Sequence, residues 1–198
     1  MAKDTRERIV ATARDLVHGA SLAQVSTEDV CRAAGVHKGS LYHFFPSKEA
    51  LGMAVLERNW ALMSAVLDEA FVDDVPPLAR IDRFVDSFAE RLSLMRDAMG
   101  GVTPGCPLGG LVGELAGHGD EPRTHAARIL HAWTQYFTDA ISEAKGRGDV
   151  DPAVETGPAA TRLLAHLQGL ALLAKAYDDP RLVLQAKKDF RQLLAAPR

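Results

Sequence analysis

At 198 residues, 47% hydrophobic and 25% charged, the chain has the make-up of an ordinary globular protein, long enough for one or two domains around a buried core. Its two cysteines lie far apart and without metal-ligand spacing, which argues against a disulfide scaffold or a zinc site, and no cofactor is implied. The formal net charge of −3 argues against a broadly polyanion-binding surface, so any nucleic-acid contact must come from the placement of cations rather than their number.

In chain order, Asp4 to about His18 is a predicted helix, with Ile9, Ala13, Leu16 and Val17 as its apolar stripe and Arg6, Glu7, Arg8 and Arg14 outside. Gly19 to Ser26 connects it to a small helix. Thr27 is the expected N-cap there, with Glu28 and Asp29 in the first turn, where a helix dipole favours acids. Val30, Ala33 and Ala34 form its apolar face, Gly35 ends it and Val36 is the expected buried residue of the turn. His37 to Phe44 follows as a second short helix. It carries Lys38, Gly39, Ser40, Tyr42 and His43 beside the apolar Leu41, Phe44 and Phe45. Pro46 stops it, and Ser47 is the expected cap of a long helix that starts with Lys48 and fades near Val72. A small helix, a sharp turn and a second helix that is polar on one side and pinned by aromatics on the other make a helix-turn-helix.

The segment AGVHKGSLYHFFPSKEAL, within a denser match from Thr5 to Leu56, resembles the signature of the TetR family of bacterial transcriptional regulators. The resemblance implies an all-α fold. An N-terminal three-helix helix-turn-helix domain, residues 1–48, would be closed by the start of the fourth helix. A C-terminal helical domain, residues 49–198, would bind the ligand and form the dimer. It also implies binding to double-stranded operator DNA. On that pattern Lys38, Ser40 and His43 face base edges, and Gly39 allows close backbone approach. Thr27, Tyr42 and Lys48 hold phosphates, with His37 at the start of the reading helix. Arg6 is a further candidate for a backbone contact. Residues 1–58 carry eight Lys/Arg against seven Asp/Glu, so tight binding is expected only at a specific site.

Beyond the long helix, whose Trp60 and methionines suit either a core or a ligand box, Pro76-Pro77 opens a helix ending near Met99. Gly100 and Gly101 break the pattern. A short helix is expected from Pro107 to about Ala116, with Cys106 at its N-cap and Pro107 at its first position. A thiol there would meet unpaired N–H groups and the positive end of a dipole, both of which favour the thiolate. Equally, Cys106 suits a small apolar position lining a ligand pocket. Glu121 to Lys145 is the next helix, with Ala127, Leu130, Trp133, Thr134, Phe137 and Ile141 as its stripe, and two more run from about Pro158 to Ala176 and from about Pro180 to Leu194.

Those last two helices carry Leu163, Leu164, Leu167, Leu170, Leu173, Leu182, Leu184, Phe190, Leu193 and Leu194. That is enough apolar surface to pair with the same helices of a second subunit, and the family resemblance implies such a homodimer. The run GSLYHFFPSKEALGMAVLERNWA, the Gly-Cys segment and the late LLAKA are also similar to TetR-family repressors of N-ethylmaleimide reductase. That likeness implies an inducer that is a small molecule, an electrophile or an oxidant, sensed at Cys106 with Lys175 nearby and Trp60 and Trp133 as further candidates. Lys175 would either favour the Cys106 thiolate or extend to solvent beside Asp178 or Asp179. The most apolar stretch, Leu163 to Ala176, is interrupted by His166, Gln168 and Lys175. No membrane span is therefore expected. Without a signal-peptide pattern, the expected compartment is the cytoplasm. Two other functions fit the residues less well: an enzyme pairing Cys106 with His118, His125, His131 or His166, and a small-molecule binder with a vestigial head.

Overall fold

The computed structural model describes residues 2–195. Among the described residues it is built of helices: α1 (Ala2–Gly19), α2 (Thr27–Ala34), α3 (Lys38–Phe44), α4 (Lys48–Ala70), α5 (Pro77–Ala98), α6 (Gly109–Leu115), α7 (Asp120–Gly146), α8 (Thr156–Tyr177) and α9 (Ala186–Leu194). A 3-10 turn, Pro180–Gln185, precedes α9, so the last expected helix is divided. The chain separates into two compact units, one holding Met1–Leu62 and Pro107–Ile129, the other Met63–Cys106 and Leu130–Arg198.

The first unit packs α1, α2 and α3 around Ile9, Val10, Ala13, Val30, Cys31, Leu41 and Phe45, all buried. Ser26, not Thr27, caps α2. Its hydroxyl accepts from the Asp29 N–H at 3.1 Å, and its own N–H donates to Asp29 Oδ2 at 3.2 Å. Asp29 stands three residues after Ser26, which is the spacing this reciprocal box requires. Thr27 is thereby the first helical residue. Gly35 ends α2 with φ 63°, a conformation cheap only without a Cβ. Val36 is half-buried rather than buried, and Ala33 is exposed.

Ser47 does cap α4, accepting from the Ala50 N–H at 3.1 Å. Within the same unit, α6 is seated on α4 and on the α1–α2 connection. A Cβ on Gly52 would stand 2.7 Å from Leu22 Cδ2 and 3.1 Å from Leu115 Cδ2. The Glu114 carboxylate accepts from the N–H groups of Leu22 (3.3 Å) and Ala23 (2.9 Å). The buried Asn59 amide donates to the Pro107 carbonyl at 3.1 Å. The buried Leu22 N–H and Asn59 amide thus both have partners, as burial requires.

The second unit has an aromatic centre. Phe84 stacks on Phe88 at 6.0 Å and meets Trp133 and Phe137 edge-on, each at 5.9 Å between centroids. Such offset and edge arrangements suit the ring quadrupoles. Arg80 is buried here with its guanidinium fully engaged, donating to Val75 O (2.6 Å), Asp73 O (3.1 Å) and Glu143 Oε2 (2.7 Å). The buried face of α7 is Ala126, Ile129, Trp133, Phe137, Ala140, Ile141 and Ala144. The expected stripe was therefore one residue out of phase at its N-terminal end, where Ala127 is exposed. On α8 and α9, Leu163, Leu164, Leu167, Leu170, Phe190 and Leu194 are buried within the chain itself. Of the expected surface leucines, Leu173, Leu184 and Leu193 are uncovered, and Ala165, Gly169, Leu172 and Ala176 are exposed beside them.

Candidate nucleic-acid interface and sensor segment

The helix-turn-helix presents its donors outward because its apolar residues are fixed inward. Leu41 has no exposed surface and Phe45 is buried under the Arg6 guanidinium, whose carbon lies 5.2 Å from the ring centroid. With these two positions anchored, the seven residues of α3 turn Lys38, Gly39, Ser40, Tyr42 and His43 to solvent, and His37 is exposed just before them. His37 occupies the N-cap position without a side-chain cap, so the helix starts one residue later than expected.

Thr27 is buried, and its hydroxyl lies 3.4 Å from the Tyr42 hydroxyl. Lys48 is half-buried and donates to the Ala23 carbonyl at 3.1 Å, which fixes its ammonium beside the start of α4. The structure thus gathers Thr27, Lys38 and Tyr42 on adjoining faces of α2 and α3. It also adds a residue whose partnership is not legible in the sequence. Glu28, a first-turn acid of α2, accepts from Lys38 Nζ at 2.5 Å and from Thr27 Oγ1 at 3.2 Å. The Lys38 partnership holds the Glu28 carboxyl below its usual range and raises the Lys38 ammonium above its own. Ten residues separate the partners across the turn, so no helical or strand period would have revealed them.

The second expected site is arranged differently from the expectation. Cys106 is not an N-cap. Pro107 and Leu108 form a turn, and α6 begins only at Gly109, with Leu108 in the cap position. Leu108 is wholly buried and Pro107 O is held by Asn59, which fixes this turn and delays the helix. The support that a helix start would lend to a thiolate is therefore absent.

What holds the segment is Asp178. Its Oδ1 accepts from the N–H and hydroxyl of Thr103 at 2.9 and 2.8 Å, and Arg96 grips both oxygens at 3.1 and 2.9 Å. The Arg96 guanidinium, then the Thr103 donors, hold this carboxyl far below the ordinary aspartate range. Gly105, with φ 78°, lies against the Lys175 stem: a Cβ there would meet Lys175 Cβ and Cδ at 3.3 Å. Lys175 itself is exposed, so the ammonium needs no buried partner, and its stem does the packing. Cys106 is half-buried, and neither it nor Cys31 forms a disulfide. Burial pushes the Cys31 thiol up.

Trp60 is half-buried in the first unit. Trp133 is fully buried in the second, where its Nε1–H has no hydrogen-bond partner. Of the histidines, His118 faces Glu49 (3.5 Å), His125 faces Glu57 (3.1 Å) and His166 faces Asp189 (2.8 Å), while His131 is exposed. Among the described residues no helix is long and apolar enough to cross a membrane.

A helical fold with this donor-bearing helix beside a capped partner helix defines a helix-turn-helix regulator. Residues 9–55 match the family model for "Bacterial regulatory proteins, tetR family", and residues 77–190 match "Tetracyclin repressor-like, C-terminal domain". Among curated relatives, the transcriptional regulator AcuR of Cereibacter sphaeroides is 29% identical over 77% of this chain and 68% of its own. The HTH-type transcriptional repressor DhaR of Mycobacterium sp. (strain GP1) is 30% identical over 76% of this chain and 72% of its own. The repressor NemR of Escherichia coli is 41% identical, but over 33% of each chain. The crystal structure of its reduced form superimposes with a TM-score of 0.80, at 24% identity, over 98% of both chains. The chain belongs to the TetR family of transcriptional regulators.

Proposed function

We propose that this chain is a cytoplasmic, dimeric TetR-family repressor that reads a palindromic operator and releases it when an inducer acts on residues 49–198. The observation that carries the reading is the outward set of Lys38, Gly39, Ser40, Tyr42 and His43 on a helix anchored by Leu41. In this assignment Lys38, Ser40 and His43 face base edges, Gly39 lets the backbone approach, and His37, Thr27, Tyr42 and Lys48 set register on phosphates. Residues 1–48 are the reading domain. Two copies related by a two-fold axis present two such helices about one DNA turn apart, which a palindrome matches. The uncovered apolar residues of α8 support self-association through the last two helices.

The inducer is a small molecule or an electrophile. The electrophile branch rests on Cys106, half-buried and directly following the Gly105 that packs on the Lys175 stem, and on the likeness to NemR. The ligand branch rests on the aromatic centre around Trp133, whose buried N–H is available to an acceptor. Inducer binding must favour a conformation whose two reading heads no longer match the groove spacing.

A gel shift with promoter DNA flanking the gene tests both parts. The wild-type protein should shift one fragment and be released by N-ethylmaleimide or hypochlorite, and Cys106→Ser should bind equally but resist release. Release of Cys106→Ser by the same reagents would transfer sensing to the aromatic interior. Failure of the wild-type protein to retain any promoter fragment would end the DNA-binding assignment.

A further inference from the structure

The contacts at the start of α3 close into a ring. Lys38 Nζ donates to Glu28 Oε1 at 2.5 Å and lies 5.9 Å from the centroid of the Tyr42 ring. The Tyr42 hydroxyl is 3.4 Å from Thr27 Oγ1, which donates to Glu28 Oε2 at 3.2 Å. Glu28 and Lys38 are both exposed, on the surface assigned to the duplex. A carboxylate on that surface repels phosphates, yet here it occupies only one of the three N–H donors of an ammonium. The other two remain able to reach a base edge without the pair breaking. A phosphate contact differs in its electrostatics: the ion pair carries no net charge, so a full counterion-releasing contact with the backbone requires Lys38 to leave Glu28.

We propose that Glu28 is a positioning residue for operator reading, holding Lys38 for base-edge contact and withholding it from the phosphates of non-specific DNA. The inference rests on the assignment of α3 as the reading helix and extends it to sequence discrimination. Non-specific binding depends almost wholly on cations that displace counterions, so removing one cation from that pool lowers it selectively. Residues 1–58 carry eight Lys/Arg against seven Asp/Glu, a net of one positive charge that loss of the Glu28 carboxylate raises to two.

Salt-dependent titration of Glu28→Gln against operator and random duplexes is the test. One liberated cation should steepen the log–log salt slope on random DNA by about 0.9 and tighten that binding about eightfold near 0.1 M salt. Operator affinity should stay level or fall, so the discrimination ratio shrinks. In a Lys38→Met background the same Glu28→Gln change should leave the random-DNA slope unmoved, since the effect acts through Lys38. Three results would overturn the proposal: an unchanged random-DNA slope, a slope change that persists without Lys38, or relaxed preference at a single base pair with non-specific binding intact. Wild-type protein unable to distinguish operator from random DNA would instead remove the underlying assignment of α3, before Glu28 enters.

Discussion

Asp178 shows how much one side chain can fix. It is the described non-glycine residue with positive φ, 52°, at the C-cap of α8, a conformation that aspartate and asparagine tolerate better than most residues. Its carboxylate gathers Arg96 and Thr103 and so holds the segment leading to Cys106. Because its folded-state pKa is depressed, its contribution is complete above the unfolded value of about 3.9 and is lost as pH falls below that toward the folded value. Asp178→Asn keeps the left-handed backbone but not the charge. The melting temperature of the wild-type protein should exceed that of Asp178→Asn at neutral pH, and the difference should narrow steadily below about pH 4. A constant difference across that range would show that the charge plays no part. Gly39 offers a contrast at the same scale. A Cβ there would meet nothing within 4 Å, and its φ is not positive. Gly39→Ala should therefore raise the unfolding free energy by up to about 1 kcal/mol through helix propensity. On the duplex, the added methyl blocks backbone approach, so operator affinity should fall about tenfold, equivalent to about 1.4 kcal/mol. Stability rising while binding falls is a pattern that denaturant titration and gel shift together resolve.

At the scale of elements, the most informative contact is the seat of α6 on Gly52. Replacing Gly52 by alanine adds about 1 kcal/mol of helix propensity but brings the methyl within 2.7 Å of Leu22 Cδ2. That methyl is the end of a flexible side chain and can turn aside, so Gly52→Ala should change stability by less than about 1 kcal/mol. Gly52→Val adds branches toward both Leu22 and Leu115 and should cost about 2–3 kcal/mol by overpacking; urea unfolding of the pair measures the difference. These elements also show what a sequence displays. The helices of the reading head were legible because their signals are local: Gly35 at a turn, Pro46 after a stop, Ser47 at a cap, Leu41 and Phe45 on one face. The α2 cap was misplaced by one residue because Ser26 and Thr27 are both good caps, and only the partnership with Asp29 decides between them. The start of α6 was misplaced because Pro107 carries a first-turn signal that buried Leu108 and the Asn59 bond override. The expected donors of α3 stand on the surface as their pattern implied. The Glu28–Lys38 and Thr103–Asp178 pairs lie 10 and 75 residues apart, beyond any periodic signal.

For the whole molecule, the proposed dimer turns on apolar surface that one chain leaves uncovered. Along α8, Ala165, Gly169, Leu172 and Ala176 recur at intervals of four, three and four residues, all exposed. Leu172 is 68% exposed and Tyr177, at the end of α8, 70%. Small residues at this spacing let another helix come close, and a leucine between them supplies the area to bury. A two-fold axis over this stripe would set each α8 against its copy, with α9 alongside through Leu193, giving a four-helix arrangement. Leu172→Glu puts a carboxylate into each half of that surface, where it would be desolvated without a cationic partner. The substitution lies on an exposed position, so the subunit itself should keep its helical circular dichroism. Sedimentation should then show a monomer at micromolar concentration. Operator affinity should fall at least about 10²-fold, because the second half-site no longer binds at the high effective concentration that linkage provides. A Leu172→Glu protein that remains dimeric and binds the operator as the wild type does would place the subunit contact elsewhere and leave this stripe unexplained.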